Sequence, residues 1–196
     1  MKTPTRKRLI DAAGRRFYRD GFRNVGIDQI LSDVGISKTA FYKHFESKED
    51  LMLAVLEDHH CEMIDAFRRI ARERGGPSPV GQLRSLMDVV EHFVASDDFQ
   101  GCVFVNVAME FPLPHEPAHL AAARNKQAIE DFVHALAIEA GAAEPRALAK
   151  QLCLIMEGAY VTRHVTGNEQ TIEIARRVAD LVITAACPAM PVNSSP

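Results

Sequence analysis

A chain of 196 residues, 47% hydrophobic and 25% charged, has room for one domain or two small ones and an ordinary globular composition. No apolar run approaches the roughly 18 residues of a membrane span, and the four cysteines include no CxxC pair, which argues against a zinc framework. The net charge of −3 hides an asymmetry: residues 1–50 hold eleven Lys/Arg against seven Asp/Glu, the remainder twelve against nineteen. A basic head on an acidic body suits phosphate binding confined to the N-terminus, although plain solvated charge gives similar counts.

Apolar spacing is helical almost throughout, with no sustained alternation of period two. The first predicted helix runs from Thr5 to Asp20, with Leu9, Ile10, Ala13 and Phe17 on one face, and ends at Gly21. A second spans Ile27 to Val34 behind Gly26, and Gly35 makes a turn. Ser37 then caps a third, which continues to about Phe45. Ser47, with Glu49 and Asp50 in the following turn, caps a fourth helix of about 27 residues. Its length takes it beyond any compact three-helix unit. GGPSPVG at 75–81 ends it, and Leu83, Leu86, Met87, Val90, Phe93 and Val94 mark a fifth. CVFVNVAMEF (102–111) is apolar nearly all round, as a short buried helix would be; periodicity alone also allows a strand. A seventh helix is expected from about Pro117 to Ala140, an eighth from Arg146 to Val165 and a ninth from Glu169 to Ala186. The Pro- and Ser-rich tail, 188–196, has a disordered composition. The fold class is all-α, with about nine helices.

The segment VGIDQILSDVGISKTAFYKHFESKEDL, Val25 to Leu51, is the most specific stretch. Two short helices across a glycine turn, the second rich in Lys and aromatics, form a helix-turn-helix whose second helix can lie in a DNA major groove. Lys38, Thr39 and Ala40 occupy its first turn, where side chains reach base edges. Lys donates to guanine O6 and N7, and a Thr methyl or Ala meets a thymine methyl. His44 can approach the backbone or face solvent. Phe41 and Phe45 are expected in the core against Ile30, Val34 and Leu51.

Arg6, Ile10, Ala13, Phe17, Gly21-Phe22, Ile30, Gly35-Ile36-Ser37, Phe41-Tyr42-Lys43-His44-Phe45 and Ser47-Lys48-Glu49 together resemble the TetR-type transcriptional regulators. The resemblance spans roughly residues 6–55. It implies a DNA-binding domain at 1–46, a fourth helix linking it from 47, and a ligand-binding and dimerisation domain over 47–187. It also implies phosphate contacts for Tyr42, Lys43 and Lys48. One departure stands out: the hydroxyl pair that the family often places before its second helix is Val25-Gly26 here, so backbone amides must serve any phosphate there.

The resemblance further implies homodimerisation through the eighth and ninth helices, a pseudo-palindromic DNA operator, and a small-molecule effector held by helices four to eight. Met63, Phe67, Met87, Phe93, Phe104, Met109 and Tyr160 are candidate lining residues, with Asn106, Glu110 and Arg163 as orienting polar groups. Their chemistry favours an apolar or aromatic effector. Each is also an ordinary core residue type. Cys102, at the start of a buried helix, suggests an alternative redox- or electrophile-sensing repressor. An effector-free architectural DNA binder is the other alternative. His59-His60-Cys61 point about 100° apart on a helix and are poor joint metal ligands; no metal or cofactor is expected. No Gly-rich phosphate loop, GxSxG elbow or HExxH occurs, so no enzyme is expected. MKTPTRKRLIDAAG has no secretory h-region, and the expectation is a cytoplasmic, nucleoid-associated protein without a membrane partner.

Overall fold

The computed structural model describes residues 4–96 and 98–187; the tail assigned to disorder lies outside them. All regular structure among the described residues is helical. It comprises α1 (Thr5–Asp20), α2 (Ile27–Val34), α3 (Lys38–Phe41), α4 (Lys48–Gly75), α5 (Pro79–Arg84), α6 (Leu86–Val94), α7 (Val103–Glu110), α8 (Pro117–Glu139), α9 (Pro145–Thr166) and α10 (Thr171–Ala186). The segment that periodicity left between helix and strand is helical, α7. It is not buried all round, because Met109 is 77% exposed.

The expected fifth helix is divided at Ser85 into α5 and α6. Ser85 is buried, and its hydroxyl lies 3.1 Å from the Ala71 carbonyl and 2.9 Å from that of Gln82. Satisfying a buried hydroxyl with two backbone carbonyls fixes the bend, since an unpaired one would cost about 1–3 kcal/mol. Gly75 and Gly81 explain how the chain doubles back there. A Cβ on either would collide with the backbone around the other.

The chain groups into two compact units. One is the chain up to Met63 together with Gln100–Lys126; the other is Ile64–Phe99 together with the chain from Gln127 onward. The sequence boundary at 46/47 therefore falls inside the first unit, which also takes in α7 and the start of α8. In that unit α1 packs on α2 around Leu9, Ala13, Phe17, Phe22, Ile30 and Phe41, all buried. Phe17 stacks on Phe22 at 5.1 Å, and Phe41 lies 5.9 Å from Phe45. Each such buried ring contributes on the order of 1.5–3 kcal/mol. Lys7 of α1 reaches Asp58 of α4 at 2.9 Å and Asp11 at 3.0 Å, bonds that raise its pKa.

In the second unit α9 and α10 pack on each other after a turn in which Gly167 adopts φ 65°. α6 lies against both, and α5 against α10. Arg176 binds Asp88 at 2.7 Å and Glu91 at 3.0 Å, tying α10 to α6.

Candidate nucleic-acid interface

The reading segment is built on two caps. Gly35 takes φ 71°, a left-handed conformation open to glycine at little cost, and its N–H and that of Ile36 both return to the Leu31 carbonyl. Ser37 Oγ accepts the Ala40 N–H at 3.2 Å and starts α3. The α-helical part of α3 is only Lys38–Phe41, shorter than the helix to Phe45 expected from spacing. Its last turn tightens instead: the His44 N–H bonds to Phe41 O at 2.8 Å, an i→i+3 contact. Phe41 and Phe45, four residues apart and joined by the Phe45 N–H to Phe41 O bond of 3.1 Å, are both buried, at 0% and 2% exposure, as are Ile30, Val34 and Leu51.

What remains outside is polar. Lys38, Thr39, Tyr42, Lys43 and His44 are exposed and Ala40 is half-buried. The geometry thus brings six of the seven expected DNA-contacting residues into the segment 38–44, on either side of the buried Phe41.

Lys48, the seventh, sits at the first turn of α4, half-buried, and donates to the Arg23 carbonyl at 3.1 Å. Desolvation lowers its pKa. Ser47 caps α4 by accepting the Asp50 N–H at 3.0 Å, and Asp50 in turn accepts the Glu46 N–H. At α2, Gly26 has no side chain to cap with, and Gln29 Oε1 takes the Gly26 N–H at 2.8 Å. Val25 is buried, so the departure from the hydroxyl pair fills the core.

The arginines of α1 are largely engaged. Arg8 donates to the Val34 carbonyl at 2.6 Å, and Arg6 lies 5.0 Å over the Phe45 ring. Arg16 grips Asp33 with two bonds of 2.6 and 2.7 Å, holding that carboxyl below its usual range. These contacts brace the head.

The effector candidates divide between the units. Met63 and Phe104 are buried, Asn106 half-buried and Met109 exposed in the first. Asn106 is occupied with the Gln100 carbonyl at 3.0 Å. In the second, Phe67, Met87 and Tyr160 are buried and Phe93 and Arg163 half-buried, with Phe67 ringed by Phe93 and Phe132 at 6.4 and 6.5 Å. A cleft of about 360 Å³ in the second unit is lined by Arg74, Arg84, Arg176 and Arg177, with Asp88 and Asp180 among its acids.

Glu110 holds the α1–α2 turn, and its carboxylate is not spare for a ligand. Sequence reasoning missed this role; a lone carboxylate closing an apolar run was the only signal. His59, His60 and Cys61 face different partners: the Phe104 ring at 5.6 Å, Asn125 at 3.0 Å and Glu57 at 3.9 Å. Among the described residues no group of three or more His, Cys, Asp or Glu could hold a metal ion, and no helix is long and apolar enough to cross a membrane. Cys102 is buried, with the Lys126 ammonium 3.6 Å from its sulfur.

Comparison with known proteins decides what this head belongs to. Residues 9–55 match the family model of bacterial regulatory proteins of the tetR family, and residues 79–179 match the tetracyclin repressor-like C-terminal domain. The chain belongs to the TetR family. It is a DNA-binding transcriptional regulator and not an enzyme. The HTH-type transcriptional regulator YjdC of Escherichia coli is 22% identical over 92% of this chain and 94% of its own length. SCO4454, a TetR-family transcriptional regulator of Streptomyces coelicolor, superposes with a TM-score of 0.86 at 28% identity, over 93% of this chain and 96% of that one. The reduced form of E. coli NemR shares the fold, with a TM-score of 0.84 at 19% identity over 95% and 99% of the two chains. The match over 79–179 puts this TetR-family chain's likeness well beyond the helix-turn-helix that carried the sequence argument.

Proposed function

We propose that this TetR-family regulator is a ligand-responsive repressor that binds a pseudo-palindromic operator as a homodimer through α9 and α10, the expected eighth and ninth helices. A small apolar or aromatic effector releases it. The observation that carries the reading is a pair of apolar stripes left in water. On α9, Leu154, Val161 and Val165 are 74%, 50% and 74% exposed; on α10, Ile174, Val178 and Leu181 are 45%, 43% and 71% exposed. Spacings of 7 and 4 on α9, and of 4 and 3 on α10, put each set on one helix face. Gly158 shares the α9 face, and nothing lies within 4 Å of where its Cβ would be, so a second helix could come close.

Exposed aliphatic stripes of this kind mark an interaction site. A two-fold pairing would make it self-complementary and present two α3 segments to successive major grooves about 34–36 Å apart. Effector binding within the second unit, where Phe67, Met87, Phe93, Tyr160 and Arg163 lie, would favour a state in which α4 holds the two heads at a spacing that misfits DNA.

The test is to select duplexes from a random pool, weigh the complex by light scattering, and add small molecules that raise the melting temperature. We expect an inverted repeat, two protomers per duplex, and release of the DNA without turnover of the added compound. A single half-site bound by one protomer, or stabilising compounds that never release the DNA, would remove this reading.

A further inference from the structure

We propose that Glu110 is a positioning residue for DNA recognition, gripping the α1–α2 turn so that α2 and α3 enter the duplex at one fixed angle. The proposal rests on the chain being a DNA-binding regulator and not on the effector reading. Once α1 ends, the Gly21 N–H returns to Phe17 O, but the next two amides have no helical partner. The Glu110 carboxylate takes both, Phe22 N–H on Oε1 at 3.0 Å and Arg23 N–H on Oε2 at 2.8 Å. Bonds to an ionised acceptor are roughly twice as strong as neutral ones. Gly21, at φ 87°, is also where an added Cβ would stand 3.5 Å from Glu110 Oε1, so the turn and the carboxylate fit closely.

Arg23 closes the arrangement from its other side. Its Nε donates to the Glu110 carbonyl at 2.7 Å, its guanidinium lies 4.7 Å over Phe111, and it pairs with Glu116 at 3.6 Å. Its carbonyl receives Lys48 Nζ. The turn is therefore held at its amides from the end of α7 and at a carbonyl from the start of α4. Only Asn24 and Val25 separate Arg23 from Gly26, the cap of α2, and Val25 is buried. A shift of the turn has almost no slack chain to absorb it before it reaches α2. α2 then passes it to α3 through a single tight glycine turn.

Charge makes the proposal testable by sign. A carboxylate near a phosphate-binding head is electrostatically unfavourable for DNA, so Glu110→Gln should tighten binding to every duplex if charge were all that mattered. If Glu110 positions the turn, Glu110→Gln keeps its size but loses a strong acceptor, and recognition of the preferred sequence weakens. The probes are a duplex selected by the wild-type protein from a random pool and a scrambled duplex of equal length. We expect Glu110→Gln to lower the ratio of the two affinities about tenfold, with binding to the scrambled duplex unchanged or stronger. Amide exchange at Phe22 and Arg23 should speed up while the melting temperature stays near the wild-type value. Glu110→Asp keeps the charge but is one methylene shorter, and should lower the ratio as well. An unchanged ratio, equal losses on both duplexes, or a wild-type protein that enriches no sequence would overturn the proposal.

Discussion

The outer surface of the α3 segment and the outer faces of α9 and α10 are both left uncovered, yet they leave opposite chemistry in water. Around α3 the apolar groups turn inward, Phe41 and Phe45 being buried, and Lys38, Thr39, Tyr42, Lys43 and His44 stay outside. On α9 and α10 the aliphatics themselves are outside, with Leu154, Val165 and Leu181 each more than 70% exposed. Donors presented on a buried apolar frame select an anionic, hydrogen-bonding partner. Aliphatics in a helical stripe select a partner with the same property, and another copy of the chain is the simplest one. The sharpest attempt to break this contrast is Leu181→Arg. A charge there costs the monomer's fold little, since the site is already exposed, but it cannot be buried unpaired in an interface. We expect a monomer by sedimentation and a loss of operator affinity on the order of 10²–10⁴, the usual gain from linking two binding heads. A Leu181→Arg protein that remains dimeric would assign the stripe to something else.

The two surfaces were unequally legible in the sequence. The head could be read because local rules build it: Gly35 and Ser37 set the turn and the cap, and Phe41 and Phe45 alternate with polar neighbours over a few residues. On the last two helices apolar residues recur on more than one face, and periodicity does not say which of them meets the chain's own core. Leu152 and Met156 proved buried while Leu154 is exposed, a division only packing decides. Ser85 was unreadable as a break because its buried hydroxyl is satisfied by a carbonyl fourteen residues away. Glu110 was misassigned as a ligand-orienting group for a related reason. Its partners, the amides of Phe22 and Arg23, lie nearly ninety residues back in the chain.

Within the head, the contrast sharpens between the side chain expected to read bases and the one expected to hold the DNA backbone. Lys38 lies in the first turn of α3, whereas Lys43 lies within the tightened last turn; both are exposed. Lys38→Ala should alter preference at one base pair by about 1–3 kcal/mol and leave the others alone. Lys43→Ala should weaken all duplexes alike and reduce the slope of log K against log salt by about one. Competition binding against a set of single-base operator variants at two salt concentrations separates the two patterns. Wild-type affinity ratios across the whole set for Lys38→Ala would take base reading away from that residue.

The smallest expected effect lies in the interior, at a group that belongs to neither exposed surface. His59 on α4 is partly buried with its ring 5.6 Å from that of Phe104, and desolvation lowers its pKa, only partly opposed by the charge of Asp58. Unfolded, an imidazole takes up a proton near pH 6.5; folded, it does so at lower pH. Between those two values the unfolded chain binds more protons, so stability rises with pH in that window and is lost as pH falls through it. One such group can contribute a slope of at most about 1.4 kcal/mol per pH unit. The measurement is a difference, so that every pH-dependent contribution shared by the two proteins cancels. Urea unfolding at pH 7.5 and 5.5 should show the wild type losing more stability on acidification than His59→Phe, whatever constant offset the larger ring introduces. Equal losses would mean that His59 carries its proton as easily inside the fold as outside, and that the aromatic contact with Phe104 is made at a wet edge of the unit and not in its dry interior.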